Sequence, residues 1–251
     1  MKKWYSASPR LMGPRFMGPR FMAQGLLVSA LGLSACVDGG DTIQVLRNQL
    51  PQAGCLVPDS ATATFMPRGR IESSAAGGYL FTPLIENRAV PNAAADRNVF
   101  VDGANVDLKF SDDLFSEAEI KAFNDSGLAR FKQSFSGSIP AGGLASFAFE
   151  VLPKGLLDEI DNRLADGQST QVVAQVEVLG TLDGGDIESN LFSYPIQVCK
   201  GCLIQNLGSC ESIISEEINT GGVCQALQDG ILDCCTDAEG GLVCGDQIPA
   251  A

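Results

Sequence analysis

The chain of 251 residues contains no histidine. That removes the usual general base at neutral pH, the Ser-His-Asp and Cys-His arrangements, and the commonest side-chain ligand of transition metals. Aromatic residues are few: one tryptophan, Trp4, and three tyrosines, Tyr5, Tyr79 and Tyr194. Paired carboxylates could still hydrolyse glycosides, but such sites usually stack sugars on rings that are scarce here. No glycine-rich phosphate cradle occurs, and the longest apolar stretch, from Phe21 to Ala35, falls short of the roughly 20 residues that span a bilayer. The last 51 positions hold eight acids and no basic residue. These absences predict a protein without catalytic residues and without a cofactor.

What is present begins with a segment to be set aside. Lys2, Lys3, Arg10, Arg15 and Arg20 precede the apolar stretch with no acid among them, and small residues close it. Positive region, apolar core and small-residue end are the order of an export signal, predicted over residues 1–35. The near-repeat "RLMGPRFMGPRFMA" offers Met12, Met17 and Met22 as alternative starts.

The stretch ends in Leu33-Ser34-Ala35-Cys36, which resembles the lipobox of bacterial lipoprotein precursors. The resemblance implies that the Cys36 sulfur takes a diacylglyceryl group, that the signal is cut before it, and that the new amino terminus is acylated. Val37 in the next position implies sorting to the outer membrane, facing the periplasm or the cell surface. Two or more acyl chains make a stable anchor, since each buried methylene contributes about 0.8 kcal/mol. The membrane is then a partner through the acyl chains. Removing the five basic residues of the signal takes the formal charge from −13 to −18. Such a surface repels nucleic acid, which is not expected as a partner, whereas an envelope protein is.

Residues 36–54 are predicted as a lipidated tether. Asp38-Gly39-Gly40-Asp41 reads as flexible, and Ile43, Leu46 and Leu50 stand at helical spacing, for at most a short helix. From 55 to 198 the pattern becomes short alternating runs between turn residues. Val106, Leu108 and Phe110 share one face, as do Phe147, Phe149 and Val151, and Val172, Ala174, Val176 and Val178. Period two with one apolar face predicts half-buried antiparallel strands, and seven to eight of them predict an immunoglobulin-like β-sandwich. Two short helices should decorate it. One opens with the capping box Ser116 to Glu119, and the other carries Leu156, Leu157, Ile160 and Leu164 on one face. Asp183-Gly184-Gly185-Asp186 reads as a turn between the last two strands.

Residues 199–251 form an acidic, cysteine-rich tail, too poor in apolar residues to hold itself together by burial. Beyond Cys36 the cysteines are Cys55, Cys199, Cys202, Cys210, Cys224, Cys234, Cys235 and Cys244. In an oxidising compartment an even number implies disulfides. Seven of the eight lie in the tail, so Cys55 is expected to pair with the odd one and clip the tail's base to the start of the sandwich. Cys199-Lys200-Gly201-Cys202 also has the spacing of a thiol–disulfide exchange pair or of half a zinc site, though no βαβ unit and no second such pair accompanies it. No metal is expected; the nearest approach to a calcium site is the set Asp233, Asp237, Glu239 and Asp246, which matches no EF-hand loop. The tail resembles those of cysteine-rich lipoproteins from myxobacteria-like Gram-negative bacteria, a likeness that implies no activity. The function expected is a non-catalytic, lipid-anchored structural or binding module of the envelope. A thiol–disulfide oxidoreductase using Cys199 and Cys202, or a surface adhesin or receptor, is the alternative.

Overall fold

The computed structural model describes residues 42–91, 96–111, 114–213 and 218–248. The signal, Cys36 and the start of the tether lie outside the described residues. In chain order the elements are β1 (Ile43–Gln49), β2 (Phe65–Met66), β3 (Gly69–Glu72), β4 (Tyr79–Phe81), β5 (Pro83–Asn87), β6 (Val99–Phe110), α1 (Glu117–Asp125) and β7 (Arg130–Ile139). They continue with β8 (Leu144–Ser146), β9 (Phe149–Leu152), α2 (Lys154–Asp161), β10 (Ser169–Leu182), β11 (Gly185–Glu188), β12 (Phe192–Cys199), β13 (Ile204–Ser209), β14 (Leu232–Thr236) and β15 (Leu242–Cys244).

Strict alternation builds the larger sheet. Along β10, Val172, Ala174, Val176, Val178 and Leu182 are buried while Gln171, Gln175 and Glu177 face outward. Neighbouring β6 and β12 repeat the pattern, and the strands join in the order β3-β12-β10-β6-β7. A second sheet, β2-β1-β5-β8, and the pair β4-β9 lie opposite, so Val99, Val106, Ile196 and Val198 meet Ile43, Val45, Phe81 and Ile85 in one apolar core. Phe81 is fully buried, with ring centres of Phe149, Phe192 and Tyr194 between 5.1 and 6.0 Å away. This is the immunoglobulin-like antiparallel β-sandwich in its broad architectural sense, with two short helices and a disulfide-rich tail. Two pairings depart from the antiparallel pattern: β3 runs parallel to β12 in the sandwich, and β13 to β14 in the tail.

The helices follow the local rules. Ser116 caps α1, accepting from the Glu119 amide while the Glu119 carboxylate accepts from the Ser116 amide and hydroxyl. Those hydrogen bonds and Arg163 hold the Glu119 carboxyl down at about 2. In α2, Leu156, Leu157 and Ile160 are buried, and Leu164, just past the helix, still reaches the core. Both helices lie at the end of the sandwich where β6 ends and β10 begins. At the other end, Asp183 and Gly184 take positive φ values of 53° and 82° to turn β10 into β11.

Three expectations are corrected. Residues 43–49 are not tether or helix but β1, which lies between β2 and β5. A register shift between Val45 and Arg47 adds one residue to the strand, so the buried face passes from Ile43 and Val45 to Asn48, and neither Leu46 nor the exposed Leu50 joins the core. The sandwich therefore begins at 43, not 55, and Cys55 follows its first strand rather than preceding it. The run 146–152 is two strands rather than one, because β8 pairs with β5 and β9 with β4.

Candidate functional site

The sandwich leaves β3 at the edge of the larger sheet, with a row of backbone groups facing outward. Residues 227–229 of the tail fill that row, and the Gln225 and Gln228 side chains reach Gly77 and Leu80 beside it. The Glu72 amide donates to the Leu227 carbonyl (3.0 Å), the Asp229 amide to the Arg70 carbonyl (2.9 Å), and the Arg70 amide to Asp229 Oδ1 (2.7 Å). Gln228 uses its side-chain amide as a surrogate peptide group: Oε1 accepts from the Leu80 amide and Nε2 donates to the Leu80 carbonyl, each at 2.8 Å. Gln225 Nε2 donates to the Gly77 carbonyl at 3.1 Å. The tail thus covers an unpaired sheet edge by strand-like addition.

Beneath it lies a buried polar chain. Asn48 Nδ2 donates to the Tyr194 hydroxyl (2.8 Å), the Tyr194 and Tyr79 hydroxyls are 3.1 Å apart, and Tyr79 donates to Asp229 Oδ2 (2.7 Å). A phenol has one proton, and Tyr79 gives its own to Asp229, so Tyr194 donates to Tyr79. Burial pushes the Tyr79 hydroxyl far above its ordinary range, with the Asp229 charge adding to it, and burial likewise raises Tyr194. Burial also raises the Asp229 carboxyl, against the hydrogen bonds from Tyr79, the Arg70 amide and Gln228. Asp229 sits at φ 58°, a left-handed position that Asp tolerates better than most residues. Gly69 is required here, because a Cβ in its place would come within 2.4 Å of the Tyr79 ring. Two tyrosines and an aspartate with every oxygen engaged are suited to holding the tail in place.

All eight cysteines in the described residues are bridged. Cys55 pairs with Cys224, Cys199 with Cys202, Cys210 with Cys235, and Cys234 with Cys244. Cys55 does reach into the tail, but to its middle rather than to its base. Cys234 and Cys235 take different partners because successive residues of a strand point to opposite faces: Cys234 faces Cys244 across β14 and β15, and Cys235 reaches Cys210.

The short Cys199–Cys202 loop is wrapped around Glu72. This carboxylate is 1% exposed; Oε1 accepts from the Gly201 amide, and Oε2 accepts from the Leu203 amide at 3.1 Å and lies 3.9 Å from Cys199 Sγ. Cys199 ends a strand and is buried, while Cys202 is exposed. A thiol attacking the accessible Cys202 would have to expel a thiolate from Cys199 beside a buried carboxylate, and no helix start lies there to stabilise it. That arrangement favours a permanent bridge over an exchange pair. Glu72, Cys199 and Cys202 are the one group of at least three ligand-type residues that converges among the described residues, and both sulfurs are committed to each other.

The four acids considered for calcium do not come together as a ligand group. Asp233 is buried in β14, where Oδ2 accepts from the backbone and side-chain amides of Asn219. Asp237 Oδ1 accepts from the Glu239 and Gly241 amides in the turn before β15, and Asp246 lies in a single 3₁₀ turn. Sequence reasoning missed Glu72, Gln225, Gln228 and Asp229. One signal was available: a chain left with only Tyr79 and Tyr194 in its folded part hydrogen-bonds them to each other.

No family model matches the chain, and no curated protein matches it. Among solved structures, a protein from Archaeoglobus fulgidus is similar over 49% of this chain and 91% of its own, with 11% identity and a TM-score of 0.32. The ASH/PapD-like domain 7 of human CEP192 is similar over 56% of this chain and 92% of its own, with 8% identity and a TM-score of 0.24.

Proposed function

We propose that this protein is a lipid-anchored module of the bacterial envelope that binds or scaffolds rather than catalyses. The observation that carries the reading is the division of labour among nine cysteines: Cys36 ends a lipobox-like stretch, and the other eight form four bridges. Four bridges belong to an oxidising compartment, and a cysteine left over at that position suits acylation. The chain enters β1 at the end of the sandwich opposite the two helices and the tail.

Expression in a Gram-negative host tests this directly. The membrane fraction should yield a chain beginning at position 36, heavier by its acyl groups and free of reactive thiols, while Cys36→Ser should move the protein out of that fraction with its four bridges intact. Recovery of an unacylated, reduced precursor from the cytosol would overturn the reading.

A further inference from the structure

At the end of the sandwich that carries the tail, three clefts with shared lining residues make up a surface trough. The first, of about 440 Å³, opens over the ends of β10 and β12, between Ser111, Ser169, Thr170, Gln171 and Gln197. Arg68 lines it and also lines the second, of about 160 Å³, with Arg70 and Asp229. Met66 and Asp229 carry the trough into the third, of about 190 Å³, whose walls include Leu50, Pro51 and Val223.

Two features of the trough specify a ligand. The first is charge. Eight of the basic side chains in the described residues are paired with carboxylates: Arg88, Arg97, Lys109, Lys121, Arg130, Lys154, Arg163 and Lys200. Of the other four, Arg47 lies over the Phe65 ring and Lys132 stands alone on β7, while Arg68 and Arg70, both exposed and two residues apart, share one cleft and form no ion pair among those residues, in a chain with 30 acids. The second is the kind of hydrogen-bonding group in the first of the three clefts. β10 and β12 are interior strands whose backbones are already paired on both sides, so an extended peptide cannot add there as a strand. What remains is a set of side-chain hydroxyls and amides, held in place by each other. Ser111 and Thr170 hydroxyls are 2.8 Å apart, Gln197 Nε2 donates to Ser169 Oγ at 3.1 Å, and Gln171 lies directly opposite Gln197 across the strands. Groups that both donate and accept match the hydroxyls of sugars, and paired guanidinium groups match carboxylates.

We infer that the trough binds an acidic oligosaccharide, with its sugar hydroxyls over Ser111, Thr170, Gln171 and Gln197 and a carboxylate against Arg68 and Arg70. The inference rests on the protein being a binding module, and is independent of whether Cys36 carries a lipid. Without aromatic rings to stack on, affinity comes from the arginines and from many weak polar contacts, so it should be modest and should fall with salt.

The test is a calorimetric titration of the oxidised protein with a hexamer of galacturonic acid, alongside neutral maltohexaose and hexaglutamate. Expected are binding of the acidic sugar alone, a loss of about tenfold for Arg68→Ser, and a loss of a few-fold for Gln197→Ala, both exposed or half-exposed positions that leave the four bridges in place. No binding of the acidic hexamer, equal binding of maltohexaose, or binding of hexaglutamate that matches the acidic sugar and ignores Gln197→Ala would each overturn it. The mass of the membrane-extracted chain is measured separately, so failure of the ligand and failure of the anchor are told apart.

Discussion

The sandwich and the tail reach order by opposite means. In the sandwich, side chains such as Phe81, Ile85, Val176 and Ile196 are completely buried, and removal of apolar surface from water is sufficient to define one arrangement. The tail strands β13 and β15 have no fully buried residue, and of β14 the cysteines are the most deeply enclosed. Cross-links take over there, together with hydrogen bonds to a neighbour that is already folded. The lesson is that the tail borrows its structure: it is held by Cys55, by the edge of β3 and by Tyr79, all contributed by the sandwich.

Cutting the covalent link should disturb this contrast most. Replacing Cys55 and Cys224 together by serine opens a loop of 169 residues, worth about 5 kcal/mol as an upper estimate in the chain-entropy account. Hydrogen exchange should then show residues 218–230 losing protection while β6 and β10 keep theirs; uniform loss across both regions would show that the sandwich depends on the tail as much as the reverse. Tyr79→Phe tests the non-covalent link. It removes one of the donors to the Asp229 carboxylate, leaves the Tyr194 hydroxyl without its acceptor, and should cost about 1–3 kcal/mol in denaturant unfolding. No measurable change would mean that water replaces the phenol.

The smallest effect expected is a pH dependence. Because the folded Asp229 carboxyl is raised, the folded state holds its proton more tightly than the unfolded chain does. Its contribution is fully present below the ordinary carboxylate range and is lost as pH rises through the raised value. Asp229→Asn should therefore remove a stabilising contribution that the native protein gains on mild acidification from neutrality, read as the difference between the two pH profiles. A mutant whose pH profile superimposes on that of the native protein would place the titration elsewhere.

The fold was legible wherever alternation was uninterrupted. The strands around Val106, Val176 and Ile196, the Ser116 capping box and the Asp183-Gly184 turn follow rules that act over a few residues. β1 was not legible, because one extra residue within it shifts the phase of a period-two pattern. Nor was the docking of the tail. Gln225, Gln228 and Asp229 read as ordinary polar loop residues until their partners, some 150 positions earlier, are seen. The acids Asp233, Asp237, Glu239 and Asp246 illustrate the converse, since proximity in sequence left them on different elements, each with a local task or none. Glu72 had no local signal, being an acid at the end of a strand whose role appears only when the Cys199–Cys202 loop folds over it.

The closing of the β3 edge by residues 227–229 has a consequence for the order in which the molecule can be made. A ribosome delivers β3 early and its cover almost last, so the larger sheet stays open on one side until nearly the whole polypeptide has emerged. Truncation anywhere before Asp229 leaves that seam exposed and able to pair with other chains.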